Sequence, residues 1–257
     1  MRRQAGWRES GALVSHWLLL LFSGLFWSVP RLLVSLWSCL PGQQRPIATA
    51  GQKRSCIYWQ ELDDPLAMEE LTPSAYEQRS GLLYRPSLAF ENRLVRWWVM
   101  GRCSRLYRAG RVERHHLWHG ALWGKQLLSG QVAPVSIGWV DGNKGWGLFA
   151  KEALDKGRLI GEYGGLLKLI APFFANVNGY CFLYPMARHS FLWFAVDGLR
   201  QGDITSFLNH ADQPNCQACV LFVQGIYRIV VVTQRPILQG EELTFDYGPT
   251  LWGMRSF

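Results

Sequence analysis

The sequence contains little charge and few cysteines for its length. Only 18% of its 257 residues are charged and 49% are hydrophobic, which excludes a chain that is disordered throughout. The six cysteines are scattered, so we expect the protein to lack a disulfide framework and to tolerate reducing conditions. An internal repeat of roughly 20 to 50 residues is also missing, which excludes a repeat architecture. The composition predicts a globular protein with one large domain or two small ones.

Only one pair of cysteines has the spacing of metal ligands. Cys216 and Cys219 form a CxxC pair, but no second pair of Cys or His residues at ligand spacing accompanies them. A structural zinc ion needs four ligands, and this pair supplies only two. We therefore predict no metal site.

The positive charge is confined to the first half of the chain. Residues before Pro134 include 17 Lys and Arg against 9 Asp and Glu, whereas 10 of each kind follow it. The first half thus carries the whole formal net charge of +8. An anionic partner is expected to meet the chain there rather than in the neutral second half.

The chain begins with an apolar segment. Residues 12–29 contain His16 as their only ionisable residue, and arginines flank them on both sides. About 18 apolar residues are the lower limit for a helix that spans a bilayer. The segment is compatible with a secretion signal or membrane anchor, with a buried or interfacial helix, and with a tail upstream of the true start codon. Residues 1–55 are interpreted as this segment and a polar linker.

Residues 56–134 are predicted to form a basic helical region. A short helix is expected to begin at Thr72, and the apolar pattern of residues 88–128 is typical of helices. The glycines expected to divide that stretch are Gly101, Gly110 and Gly120. Arginines recur at multiples of three through residues 93–114, so they wind around a helix. They either form a local patch for nucleic-acid phosphates or an acidic protein surface, or cover neighbouring Trp rings.

The sequence after Pro134 consists of short apolar runs separated by turns. Residues 135–140 and 227–233 are rich in β-branched residues, and Gly and Asn residues lie in the turns. There is no alternation of strands and helices, so we do not expect a Rossmann-type sheet. The second half is predicted to be a β domain of small strands.

Four motifs follow one another in the second half. They are residues 145–150 (GWGLFA), 161–165 (GEYGG), 206–216 (SFLNHADQPNC) and 240–248 (GEELTFDYG). A single GxG is compatible with an ordinary turn. In this order and spacing, the four motifs together resemble the SET domain of protein-lysine methyltransferases, and the resemblance covers residues 135–252.

The resemblance implies a fold and an activity. The fold is mainly β: a SET-domain (β-clip) fold of short strands with a knot-like threaded C-terminal segment, preceded by an α-helical flank. The SET domain is expected at residues 135–248 and a lid segment at 249–257. The implied activity is transfer of methyl groups from S-adenosylmethionine to protein lysines. Two alternatives remain open: an inactive SET module that binds chromatin or a peptide, and a methyltransferase of a bacterial DNA-binding protein.

The resemblance also assigns the site residues. Tyr247 matches the family's catalytic tyrosine, and Tyr163 matches a second tyrosine that helps to hold the lysine amine. The cofactor contacts carry over onto Lys144, Gly145, Trp146, Tyr180, Asn209 and His210. Trp252 is expected either to cover the adenine as a lid or to pack in the core. Phe245 and Phe194 are expected to line the substrate channel.

The chemistry of methyl transfer agrees with these residue types. The lysine nitrogen, the methyl carbon and the sulfonium sulfur must lie nearly in line, so positioning supplies much of the rate. The amine must also be neutral, which costs roughly 4 to 5 kcal/mol near pH 7 for a lysine pKa of about 10.4. An aromatic, poorly hydrated channel disfavours the ammonium. Phe245 leaves space where a Tyr would place a hydroxyl, which predicts di- or trimethylation.

Some positions depart from the family pattern. Ser206 stands where the family usually has Arg, and Ala211 and Asp212 replace the usual Ser and Cys. Only nine residues follow Gly248 and none is Cys, so the zinc site that follows the SET domain in some relatives is not expected.

Two segments point to a narrower group within the family. Residues 180–185 (YCFLYP) and 247–252 (YGPTLW) look similar to secreted SET-domain histone methyltransferases of chlamydia-like intracellular bacteria. That likeness implies histones as substrates and a secreted effector that reaches the host nucleus. If residues 12–29 span a bilayer, the protein is instead expected to be membrane-anchored. Its oligomeric state is left open.

Overall fold

The computed structural model describes residues 47–48, 57–61, 67–170, 177–186 and 192–248. The apolar segment 12–29, the lid segment 249–257 and Trp252 therefore lie outside the described residues. Within the described ranges, no helix is both long enough and apolar enough to cross a bilayer.

The described residues form 16 short strands, three α-helices and one 3-10 helix. The elements before Pro134 are β1 (Ile47–Ala48), β2 (Ile57–Gln60), β3 (Met68–Leu71), α1 (Pro73–Ser80), β4 (Leu83–Tyr84), β5 (Leu88–Phe90), α2 (Arg93–Arg108) and α3 (Arg114–Leu128). The strands after it are β6 (Val135–Asp141), β7 (Gly145–Ala150), β8 (Leu159–Glu162), β9 (Gly165–Leu169), β10 (Cys181–Leu183), β11 (Phe194–Asp197), β12 (Gln201–Gly202), β13 (Asn209–His210), β14 (Cys216–Val223), β15 (Ile226–Thr233) and β16 (Glu242–Phe245), and the 3-10 helix is Ile204–Phe207.

The longer sheet places the last strand in its interior. Its order is β3-β2-β6-β7-β16-β14-β15-β8, and β13 also pairs with β16. Strand β16 is antiparallel to β7 but parallel to β13 and β14. Strand β16 thus lies between β7 and β14, which both precede it in the sequence. The mainly β fold with a threaded C-terminal segment is confirmed.

The first half of the chain is less helical than predicted. Strands β2 and β3 extend the longer sheet through a parallel pairing of Trp59 with Ile137. Strand β5 joins a second sheet of order β1-β5-β9-β11-β10, and β4 pairs with β12. The prediction of helix from Leu88 onward was therefore wrong at its start, because residues 88–90 pair with β9 on one side and β1 on the other.

The helix ends follow ordinary capping chemistry. Helix α1 begins where predicted, with the Thr72 hydroxyl accepting the Ala75 N–H at 3.2 Å. Helix α2 begins after Asn92, whose side chain accepts two helical N–H groups.

Only one of the three glycines expected to break the helices does so. Gly110 lies between α2 and α3 at a φ of 63°, whereas Gly101 lies inside α2 and Gly120 inside α3. A Cβ on Gly120 would approach the Phe222 carbonyl oxygen to 2.3 Å. This glycine therefore serves close packing of α3 on β14 rather than a break in the helix.

The two halves share one hydrophobic core. Trp59 of β2 packs edge-on against Trp146 and Phe207, at ring distances of 4.7 and 5.6 Å. A second cluster forms where Trp123 and Leu127 of α3 pack on the β14–β15 hairpin and β8. Packing across Pro134 therefore holds the site described next.

Candidate active site

A cavity of about 730 Å³ lies beside β7 and β13. Its volume is in the range of small-molecule and cofactor sites. Six residues predicted to contact the cofactor line it: Lys144, Gly145, Trp146, Tyr180, Asn209 and His210. Tyr247, predicted to be catalytic, lines it as well. The fold thus brings together in one cavity residues that are up to about one hundred positions apart in the sequence.

The turn before β7 shapes one wall of the cavity. The Asp141 carboxylate accepts the N–H groups of Asn143 and Lys144, both at 2.7 Å, and these bonds lower the pKa of Asp141. Gly145 follows with a φ of 73°, a left-handed conformation that glycine adopts without strain. The fixed turn places Gly145 and Trp146 in the cavity wall.

A glutamate that the sequence analysis missed connects this wall to β13. The Asn209 side-chain amide donates to Glu242 Oε1 at 2.9 Å and to the Trp146 carbonyl at 3.3 Å. Glu242 Oε2 in turn lies 3.3 Å from Lys144 Nζ. Glu242 therefore positions Asn209 and Lys144 together. Its place in the motif 240–248 was the available signal.

His210 is held by groups on both sides of its ring. Its Nδ1 accepts the Tyr247 N–H at 3.3 Å, and its Nε2 lies 3.3 Å from Asp212 Oδ1. This pattern assigns the proton of the neutral ring to Nε2, which donates to Asp212. His210 thereby holds the backbone of Tyr247 in place.

Both predicted active-site tyrosines donate their hydroxyl protons to main-chain carbonyls. Tyr247 donates to Leu208 and Tyr163 donates to Tyr180, each at 2.8 Å. A phenol that donates its proton in this way still has lone pairs that accept other bonds. Burial raises the pKa of Tyr163 well above its usual value, so its phenol stays neutral. Tyr163 is therefore suited to accept a hydrogen bond rather than to act as a base.

A row of aromatic rings connects the two tyrosines. Tyr163 packs on Phe182 at 4.5 Å, Phe182 stacks on Phe245 at 5.9 Å, and Phe245 lies 4.8 Å from Tyr247. Phe245, only 4% exposed, belongs to the core. No role was predicted for Phe182, although it lies in the segment 180–185. The four side chains thus form one continuous aromatic row.

Tyr163 and Phe194 do not line the cavity itself. The Tyr163 hydroxyl lies behind Gly198, a lining residue, since a Cβ on Gly198 would approach this oxygen to 2.7 Å. Phe194 is buried on β11, and its place in a substrate channel stays a prediction.

The first half of the chain also contributes to the cavity. Ser80 and Leu82, at the end of α1 and just after it, are lining residues that no motif indicated. Ser206, one of the departures from the family pattern, lines the cavity too.

The cysteines show no sign of forming a shared ligand pair. All four cysteines among the described residues are free thiols. Cys216 belongs to the main core, whereas Cys219 belongs to the cluster under α3. A spacing of three on a strand directs the two side chains to opposite faces of the sheet.

A family model described as "SET domain" matches residues 145–248, the stretch that contains the four motifs and most of the cavity wall. Residues 145–248 are a SET domain. The match contains Tyr163, Tyr180, Asn209, His210 and Tyr247.

Known proteins are similar to about half of this chain. Histone-lysine N-methyltransferase CLF of Arabidopsis thaliana is 38% identical over 127 residues, 48% of this chain and 14% of that protein. Histone-lysine N-methyltransferase EZ1 of Zea mays is 38% identical over 127 residues, 48% of this chain and 13% of that protein. The match therefore spans about one seventh of the length of these relatives. A crystal structure of KRYPTONITE in complex with mCHH DNA, H3(1-15) peptide and SAH covers 44% of this chain and 23% of its own, at 25% identity and a TM-score of 0.38.

Proposed function

We propose that this protein is an S-adenosylmethionine-dependent protein-lysine N-methyltransferase that acts on histones. The observation that carries the proposal is the convergence of Trp146, Asn209, His210 and Tyr247 on one cavity within a SET domain. The substrate class rests on the relatives, which are named histone-lysine N-methyltransferases.

The lining of the cavity fits S-adenosylmethionine. Trp146 and Phe207 offer aromatic faces for an adenine, and Lys144 offers a cation for a carboxylate. The backbone at Gly147 is also tightly enclosed, since a Cβ there would approach Val140 Cγ2 to 2.5 Å and Asn209 Nδ2 to 3.1 Å. The space beside Gly147 is thus filled by protein side chains, which fixes the backbone next to the Asn209 amide that lines the cavity.

Tyr247 orients the transfer. When bound, the cofactor supplies an electron-poor methyl group attached to sulfur. The Tyr247 phenol is fixed by its bond to the Leu208 carbonyl, so its remaining lone pairs accept weak C–H···O contacts. Its backbone is fixed separately by His210. Tyr247 therefore acts by alignment, and proton removal is not required of it.

The aromatic row favours the neutral amine. Tyr163, Phe182 and Phe245 offer little hydration to an ammonium group, so its deprotonation is made easier there than in water. The neutral Tyr163 oxygen accepts an N–H from the substrate amine and holds it. The amine gives its proton to solvent water before it enters the aromatic row, so the row favours the neutral form and Tyr247 aligns the transfer.

The decisive experiment uses the full-length chain with labelled S-adenosylmethionine and core histones. Wild type is expected to transfer label, and Tyr247→Phe is expected to lose at least about 100-fold in rate, since misalignment by about 1 Å costs that much. Tyr107→Phe, at an exposed position on α2, is the matched control and should keep full activity. No transfer by a folded wild-type chain would instead support an inactive binding module. Label on bacterial DNA-binding proteins but not on histones would overturn the substrate class.

We infer from Phe245 that the product carries more than one methyl group. Its ring lies 4.8 Å from that of Tyr247 and lacks the hydroxyl that a Tyr would carry at this position. Mass spectrometry after exhaustive turnover should find di- or trimethyl-lysine with wild type and a shift toward monomethyl-lysine with Phe245→Tyr. Monomethyl product alone with wild type would contradict this inference.

We propose that α2 and the start of α3 contact nucleosomal DNA. Neither helix contains Asp or Glu, and the arginines at positions 93, 96, 105 and 108 are exposed. Exposed arginines bind phosphates in a salt-dependent manner. Arg93→Glu with Arg96→Glu should weaken DNA binding and reduce its salt dependence, whereas Lys156→Glu, exposed in the neutral half, should change neither. Equal weakening by both changes would contradict a local surface.

We propose further that the protein belongs with the secreted SET methyltransferases of chlamydia-like bacteria and acts in a host nucleus. Residues 180–185 and 247–252 and the apolar segment 12–29 support this placement. Fractionation of infected cells should find the full-length chain in the host nuclear fraction. Retention in the bacterial membrane fraction would support an anchor instead.

A further inference from the structure

A cluster of histidines and a carboxylate lies at the start of α3, on residues that do not line the cavity. Glu113 immediately precedes the helix, and its Oε2 lies 3.4 Å from His115 Nδ1. The rings of His115 and His116 are 4.0 Å apart between centroids. One nitrogen of each histidine and one oxygen of Glu113 all lie within 4.8 Å of one another.

The orientation of Glu113 differs from that of the other residues that precede helices. Thr72 and Asn92 both use their side chains to cap the N–H groups of α1 and α2. Glu113 occupies the same position before α3, but its side chain makes no capping hydrogen bond. Its carboxylate is turned toward His115 instead.

One of the three side chains is held by packing, and the other two are accessible to solvent. His116 is only 9% exposed, and its ring packs edge-on against Tyr227 of β15 at 5.4 Å. Glu113 and His115 are exposed to solvent. An ion from solvent therefore meets a ring already held by packing and two side chains that are able to close around it.

We propose that Glu113, His115 and His116 bind one divalent transition-metal ion of the zinc class. Two imidazoles and a carboxylate are donors that Zn²⁺, Ni²⁺ and Cu²⁺ accept. Tetrahedral ligands at bond lengths of about 2.0 to 2.1 Å are separated by about 3.4 Å. The exposed side chains thus need to close by at most about 1.4 Å. Three protein ligands leave the fourth position of a tetrahedral ion for water.

Neighbouring groups fit this assignment. His119 lies one turn further along α3, but its Nδ1 contacts the Val220 carbonyl at 2.8 Å, so its ring is held on β14. The dipole at the start of α3 opposes a cation, and the Glu113 carboxylate compensates for it. The bound ion is expected to join the connection between α2 and α3 to the first turn of α3, and so to stabilise the helical layer rather than take part in methyl transfer.

Calorimetric titration of the full-length chain with zinc chloride tests the site. Wild type should bind one ion, and both His115→Ala and Glu113→Gln should weaken that affinity at least about ten-fold. His119→Gln is the matched control, because it removes the same residue type one turn away, and it should retain the affinity of wild type. Circular dichroism identifies variants that fold. Wild-type affinity in folded His115→Ala, or no binding by wild type, would overturn the proposal.

Cobalt substitution supplies a second measurement. Co²⁺ bound by imidazole and carboxylate should give visible bands without the near-ultraviolet charge-transfer bands of cobalt thiolates. Those thiolate bands would place the ion on cysteines and overturn the assignment. Zinc should also raise the thermal unfolding midpoint of wild type but not that of His115→Ala.

Discussion

Gly147 follows Trp146 of the cavity wall, and the space where its side chain would stand is already filled. A Cβ there would approach Val140 Cγ2 to 2.5 Å, and Asn209 Nδ2 and Glu242 Oε1 each to 3.1 Å. The amide of Asn209 and the carboxylate of Glu242 are themselves joined at 2.9 Å. An added methyl group therefore has to displace the pair that orients one side of the cavity.

Gly147→Ala is expected to weaken cofactor binding. Overpacking of this kind costs about 1 to 3 kcal/mol, which corresponds to a loss of about 5- to 150-fold in affinity if it falls on the bound state. Calorimetric titration with S-adenosylhomocysteine measures the affinity of each variant. Gly142→Ala is the control from the same turn, since a Cβ on Gly142 meets nothing within 4 Å. Equal affinities of the two variants would show that this wall does not contact the cofactor.

Individual residues were predictable only where a motif named them. The resemblance to a known family indicated Asn209 and Tyr247, but Glu242 and Phe182 emerged from the structure. Asn209 and Glu242 are 33 residues apart, and they meet because β13 pairs with β16 in register. Neither local propensity nor spacing encodes such a pairing, so the sequence indicated Glu242 only as a member of the motif 240–248 and not as the partner of Asn209.

Among the elements, the 3-10 helix carries a buried acid close to the active site. Asp203 caps this helix by accepting the Thr205 N–H at 3.0 Å and its hydroxyl at 2.6 Å. Burial, reinforced by the nearby Glu162 carboxylate, raises the Asp203 pKa to about 7. Glu162 is itself paired with Arg228 at 3.0 Å. In the folded protein Asp203 thus keeps its proton at pH values where an unfolded chain has lost it.

This difference predicts how stability depends on pH. Between about pH 4 and pH 7 the unfolded chain releases a proton that folded Asp203 retains, so the contribution of Asp203 to the free energy of unfolding falls as pH rises. Each pKa unit of difference corresponds to about 1.4 kcal/mol. Asp203→Asn mimics the uncharged acid, and it should therefore gain stability relative to wild type across this interval. Urea unfolding at several pH values measures the free energy of unfolding of both proteins. Parallel plots of this free energy against pH would contradict the prediction.

Helices were easier to predict than short strands. The start of α1 at Thr72 and Pro73 has a local chemical signal, and the structure has the helix there. Residues 88–90 have no such signal, because three apolar residues next to a helix suit either structure. Their pairing with β9 decides the outcome, and the sequence of the segment alone does not contain it.

In the whole molecule, the first half of the chain is part of the framework that holds the site. Trp59 and Tyr76 are buried in the same core as Leu148 and Phe245. Tyr76 also donates a hydrogen bond to the Asp203 carbonyl at 3.2 Å. The distribution of charge and motifs divides the chain at Pro134. It contains no information on packing, so the shared core was not predicted.

The crystal structure of the full-length chain with S-adenosylhomocysteine is the most direct test of a methyl-transfer site in this cavity. The ligand should lie in the cavity in contact with Trp146 and Asn209, with its sulfur facing the Tyr247 hydroxyl. A ligand bound elsewhere, or one whose sulfur lies far from Tyr247 when the cavity is filled, would contradict the proposed transfer.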